Sequence, residues 1–189
     1  DRTSTRLIRI RERTTDLEKI ALTNSLSRKI SNNQLTIDEA KTELIHLRRA
    51  SLQYSFFMNF IAAFVACGFF LFMFGGTASD FWIACLAGGA AFLTFSFVQK
   101  YIQIKFFSEF VASAVVISIA AIFTKIGIAK NQDIITIASV MPLVPGILIT
   151  NAIRDLLAGE LLAGMSRGVE AALTAFAIGA GVAIVLLLL

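Results

Sequence analysis

Histidine is almost missing from this sequence: His46 is the only one among 189 residues. It lies in the charged N-terminal part, so the apolar remainder cannot assemble a Ser/His/Asp set. Cysteine occurs twice, at Cys67 and Cys85, both inside apolar runs. Two cysteines so placed give neither a disulfide framework nor a zinc-type spacing. In a membrane helix such a side chain packs as a small apolar group and needs no function. There is no phosphate-cradling P-loop, no HExxH and no EF-hand pattern, so ATP hydrolysis and these metal chemistries are not expected. No cofactor is expected either. The chain starts at Asp1 without a signal peptide. Polypeptide is expected to precede Asp1, and the leucine run Leu186 to Leu189 is an equally abrupt end.

Charge is scarce and unevenly spread. Only 16% of residues are charged and 57% are hydrophobic, against about a quarter and about 45–50% in soluble domains. Mean hydropathy is +0.77. Residues 1–53 hold eleven Lys/Arg and seven Asp/Glu, and the other 136 residues hold six of each. The basic pI of 9.3 therefore reflects a block beside the first apolar run, where cytoplasmic membrane flanks are basic. Nucleic acid is not the expected partner; a lipid bilayer is.

The charged block reads as two helices. Leu7, Ile10, Leu17, Ile20, Leu22 and Leu26 stripe residues 3–31, and Asn32-Asn33 ends that helix. Thr36-Ile37-Asp38-Glu39 is a capping-box pattern that starts a second helix running to about Gln53. His46 is read as a solvated residue on it.

Beyond residue 53 the expected fold is all-α: a polytopic helix bundle of about five membrane spans after a cytosolic helical hairpin. Spans are placed at about 55–74, 81–98, 110–124, 134–149 and 169–189. Asp80 is expected to cap the second span and Glu109 the third. Asn59 is the one strongly polar residue of the first span. Small residues on the second span (Ala84, Ala87, Gly88, Gly89, Ala90, Ala91) and the last (Ala171, Ala172, Ala175, Gly179, Gly181) allow close helix approach. Lys and Arg are dense before the first span and absent from the turn after it. That places the N-terminus in the cytoplasm of a cell bounded by this plasma membrane and, over five spans, the C-terminus outside. Lys125 and Lys130, placed outside, run mildly against it.

The fourth apolar run is unusual. Its 16 residues contain both prolines of the chain, Pro142 and Pro145, the latter followed by Gly146. Two prolines in four residues remove two backbone donors and should break the helix, with Gly146 free to take positive φ. Irregular backbone at membrane depth is tolerated when it is buried in protein or lines a wet cavity, and broken helices recur in transporter substrate sites. A helix restarting near Ile147 would present a partly positive end suited to a carboxylate. Asn151, Arg154 and Asp155 follow at spacings that put them on one side of it. Arg154 offers a planar fork for a carboxylate. Asp155 could neutralise Arg154, receive an amine or carry a proton. Glu160 is a further ionisable candidate, and Arg167 and Glu170, three apart, suit an ion pair. The plainer alternative is a proline kink followed by an interfacial loop.

The run Met141 to Leu161 (MPLVPGILITNAIRDLLAGEL) resembles the signature of the threonine/serine exporter family: a VPG-type break, an Asn-x-x-Arg-Asp helix, then a Gly-Asp/Glu turn. Glu160 stands where many members have Asp. Gly164 to Glu170, Thr5-Arg6-Leu7, Asn24 to Arg28 and Leu35 to Ala40 extend the resemblance over nearly the whole chain. It implies the larger half of an exporter, with a further cytosolic segment ahead of Asp1. The second membrane half, of about four spans, is either fused or a separate chain. Fused members are associated with threonine and serine, and a split pair with dicarboxylates such as succinate. The residues carried over are Pro142, Pro145, Gly146, Asn151, Arg154 and Asp155. The expected function is proton-driven export of a small carboxylate-bearing metabolite by an oligomeric assembly. The scarcity of cations near Arg154, with only Arg167 and Lys125 at hand, favours an amino acid over a dicarboxylate. A non-transporting assembly subunit and a membrane enzyme using Asp155 and Glu170 as acid and base are the competing classes.

Overall fold

A computed structural model describes residues 17–49, 54–102, 104 and 106–188; the expected helix over residues 3–16 lies outside them. The chain divides into two units, Asp1–Ser55 and Phe56–Leu189, each taken by itself below.

The first unit pairs α1 (Leu17–Ser31) with α2 (Ile37–Arg49). Asn33 takes left-handed φ of 54°, and the amides of Asn33 and Gln34 bond back to Ile30 and Lys29. This is the Schellman closure that Asn tolerates in place of Gly. The capping box forms as the spacing requires: the Thr36 amide donates to Glu39 Oε2 at 2.9 Å and the Glu39 amide to Thr36 Oγ1 at 3.4 Å. The Thr36 amide, and after it the Thr36 hydroxyl at 2.7 Å, donate to the Glu39 carboxylate and hold it below its usual range. Among the described residues of this hairpin only Leu26 and Ala40 are buried, and His46 is exposed.

The second unit consists of α3 (Phe56–Met73), α4 (Phe81–Tyr101), α5 (Phe107–Lys125), α6 (Gln132–Val140), α7 (Gly146–Leu157) and α8 (Leu161–Leu188). Short 3-10 turns lie at Ala78–Asp80 and Met141–Leu143. The described residues contain no strand. Four helices, α3, α4 with its preceding turn, α5 and α8, are long and apolar enough to cross a membrane, and the bent pair α6–α7 raises the count to five. The last helix starts at Leu161 rather than near residue 169, so Arg167 belongs to it.

α4 packs on α3, α5 and α6, and α5 also packs on α8. Small residues make these crossings close. Cys67 of α3 lies against Gly88 of α4, and Cys85 of α4 against Gly68 of α3, so a β-carbon at either glycine would collide with a thiol. Both thiols are free and buried, which gives the two cysteines a packing role. Ala84, Ala87 and Ala91 are buried beside them. On α8, Gly181 meets the Phe110 carbonyl and the Ser113 hydroxyl of α5. Ala172, Ala175 and Gly179 face outward, so the small residues of the last helix divide between two faces. The outer surface carries Phe57, Phe69, Trp82, Phe97 and Phe176, each more than three-fifths exposed, as lipid contact requires. Asn59 is exposed at the start of α3.

Asp80 departs from the capping expectation. It occupies the N-cap position of α4 without capping it. Fully buried, its carboxylate accepts from the Lys130 amide at 3.0 Å, Asn131 Nδ2 at 3.5 Å and Thr77 Oγ1 at 3.1 Å. The carboxylate thus ties the α5–α6 connection to the start of α4. Accepting from Lys130 and Asn131 of a distant connection outweighs a local cap, because each buried donor left unmet costs about 1–3 kcal/mol.

Candidate functional site

The proline pair ends α6 as expected. Pro142 sits in the 3-10 turn, Val144 is extended at φ −64° and ψ 129°, and Pro145 becomes the N-cap of α7 at φ −79° and ψ 54°. An extended residue before proline follows from the clash of the proline ring with a helical predecessor. The axes on either side are bent by 64°. Gly146 does not use the left-handed region: the positive-φ glycines among the described residues are Gly75, Gly127 and Gly159. The prolines alone make the break. A β-carbon at Gly146 would meet nothing within 4 Å, and its amide bonds the Val144 carbonyl at 2.8 Å.

α7 turns one face toward α8. Ala152 on that face is buried, and Leu148, Asn151 and Asp155 are half-buried, a spacing that keeps one stripe of a helix inward. The chain then reverses tightly. Gly159 takes φ of 84°, its amide bonds Leu156 and the Glu160 amide bonds the carbonyl of Asp155 at 2.9 Å. This Schellman closure lays α8 against α7. A β-carbon at Gly164 would lie 3.0 Å from the Ala152 carbonyl, so backbone nearly touches backbone there.

This approach brings together residues twelve positions apart. Arg167 of α8 donates to Asp155 Oδ2 at 2.5 Å. Arg154 Nε lies 3.9 Å from the other oxygen, Oδ1. The Asp155 side chain is 16% exposed, Arg167 37% and Arg154 72%. One carboxylate therefore meets two guanidinium groups and stays partly open to solvent. Asn151 and Asp155 share the inward side as their spacing predicts; Arg154 instead points outward and touches Asp155 only at the edge. Glu160 is exposed in the turn, and Glu170 is half-buried one helical turn past Arg167. Pro142 and Gly146 are exposed and Pro145 is half-buried. No three His, Cys, Asp or Glu residues cluster in a metal-binding arrangement among the described residues.

The Asp155–Arg167 bond was not foreseen from spacing, which paired Arg167 with Glu170. A signal for it existed: Gly159 as a helix stop, then Gly164 and Gly168 four apart, the pattern of two helices in close contact.

Chemically, the cluster can hold an anionic group on either guanidinium and a cationic group on Asp155. Its charge sums to one positive, so it favours ligands with a carboxylate. No curated protein and no solved structure matches this chain. A family model described as "Putative threonine/serine exporter" matches residues 1–189. The chain, a multi-pass membrane protein by its helices and this match, thus belongs to that transporter family.

Proposed function

We propose that this chain is the larger half of a secondary transporter that exports threonine and serine across the plasma membrane, driven by the proton gradient. The observation that carries the reading is the Asp155–Arg167 bond. It sits just past a proline break, in the half-buried face between two helices, within a chain matched end to end by an exporter family. Broken helices with charged groups beside them are a recurring way to build a transport site. A carboxylate flanked by two guanidinium groups offers both signs of charge that an amino acid presents. The chain acts as a transporter and not as an enzyme, and without a P-loop it draws on an ion gradient. Its N-terminus faces the cytoplasm, where basic flanks are retained. A second membrane half, fused or separate, completes the pathway.

A second reading has one observation in its favour. Arg154 and Arg167 each lie within ion-pair distance of Asp155, and two cations are what a dicarboxylate such as succinate requires.

The test is efflux from cells expressing this chain with its second half, preloaded in parallel with labelled threonine, serine and succinate, with and without an uncoupler. Uncoupler-sensitive efflux of threonine and serine, lost in Arg154→Ala at normal membrane abundance, is the expected result. Efflux of succinate alone selects the second reading. No efflux of any of them, or equal efflux in the variant, leaves a membrane assembly subunit whose charged cluster is structural.

A further inference from the structure

The Asp155–Arg167 pair is half-buried yet joins two helices at a point that remains accessible. The Arg167 and Asp155 side chains are 37% and 16% exposed, so neither charge is fully desolvated and a ligand can reach both. A charged pair left open to ligand can be taken apart and replaced by a molecule of the same charge pattern. Opening it to water alone exposes two charges that lose their partner. Opening it around a zwitterion keeps every charge matched: the ligand's ammonium replaces Arg167 on Asp155, and its carboxylate replaces Asp155 on Arg167. A dianion inserted at the same place would leave Asp155 facing like charge.

We infer that Asp155 and Arg167 form a paired lock that an α-amino zwitterion opens by insertion, Asp155 receiving the ammonium and Arg167 the carboxylate. This rests on the exporter reading above and assigns the two ends of its substrate. Arg154, 3.9 Å from Asp155 Oδ1 and largely exposed, is the first cation that the incoming carboxylate meets. The proton enters by the same logic. A proton taken from water onto an Asp155 oxygen abolishes the charge that holds the ammonium, so proton and substrate exclude one another there. Exclusion of this kind is what exchange of an inward proton for an outward substrate requires.

The other charged groups on the packed elements are Glu160 in the turn and Glu170 on α8. On α5, which packs against α8, Glu109 lies in the first turn and Lys125 in the last. Arg167 bonds Asp155 through its Nη1.

The experiment measures how well two truncated analogues compete with labelled threonine efflux from vesicles holding the chain and its second half. One analogue, 3-hydroxybutyrate, lacks the amine; the other, threoninol, lacks the carboxylate. Wild type is expected to reject both. In Asp155→Asn, discrimination against the deaminated analogue should fall by about tenfold or more, the value of one charge-assisted bond. Discrimination against threoninol should hold. Arg167→Gln should show the reverse. A pair that merely braces the helices would lower all transport without changing either ratio, and that outcome overturns the assignment while leaving the exporter reading intact. Absence of threonine efflux in wild type overturns both. If the neutral variants do not accumulate, Asp155→Glu and Arg167→Lys keep the charges and move them. A change in the matching ratio alone then supports the lock, and unchanged ratios overturn it.

Discussion

The α3–α6 bundle and the α7–α8 hairpin share one apolar vocabulary and spend their polar groups differently. In the bundle, Asp80, Ser113 and Ser139 are buried and each bonds a fixed backbone or amide partner. In the hairpin, Arg154, Asp155, Glu160 and Arg167 are charged and at least partly open. Polar groups sealed in a low-dielectric interior stabilise one arrangement because leaving any of them unmet is costly. Polar groups left reachable can change partners. The contrast implies that lesions at sealed packing contacts act on folding and lesions among the accessible charges of the hairpin act on transport.

The largest test of that division is Gly181→Val. The Phe110 backbone cannot move aside for the new side chain, so we expect a loss of about 3 kcal/mol, read as a lower unfolding temperature in detergent and reduced membrane abundance. Gly179→Val, two residues away with nothing within 4 Å, should leave both unchanged. Equal effects would erase the contrast between the two faces of α8.

Next comes Arg154→Ala. Being mostly exposed, the side chain should contribute less than about 0.5 kcal/mol to stability, while threonine efflux falls by about tenfold or more. A drop in unfolding temperature that accounts for the lost efflux would move Arg154 to the structural side.

Asp80→Ala sharpens the comparison from the bundle. It strips an acceptor from the Lys130 amide and from Asn131, at a cost of about 1–3 kcal/mol, measurable by thermal unfolding. The ratio of threonine to analogue transport should not change, since Asp80 lies on elements other than the charged hairpin.

The smallest effect belongs to the first unit. The Glu39 carboxyl is held below its usual value of 4.5. A lowered folded-state value means that its stabilisation is present above the unfolded value and is lost as pH falls through the lowered one. Protection factors of amides in the first turn of α2, corrected for the intrinsic exchange rate at each pH, should hold at neutral pH and fall only in more acidic solution. Thr36→Ala should lower them at every pH, because the partner hydroxyl is gone.

Much of this was legible in the chain itself. Uncharged runs of membrane length named the long helices, because a backbone in lipid must satisfy its own hydrogen bonds. The Thr36 to Glu39 spacing named a helix start, because the capping bonds are local. Pro142 and Pro145 named the break, since a missing donor and a ring clash act within one turn. The readings that missed concern groups with a choice of partners. Asp80 had a cap within reach and took the Lys130 amide, 50 residues away, instead. Arg154, expected on one side with Asn151 and Asp155, is mostly exposed instead.

By itself the sequence determined the all-helical class, the position of the break and which residue types surround it, because each follows from interactions spanning a few residues. Only the tertiary structure decided that Asp155 bonds Arg167 across twelve positions. That bond exists because Gly159 reverses the chain and Gly164 lets two backbones come within reach of one another. Which charges meet is set by the register of that hairpin, and the register is a property of the packed pair of helices.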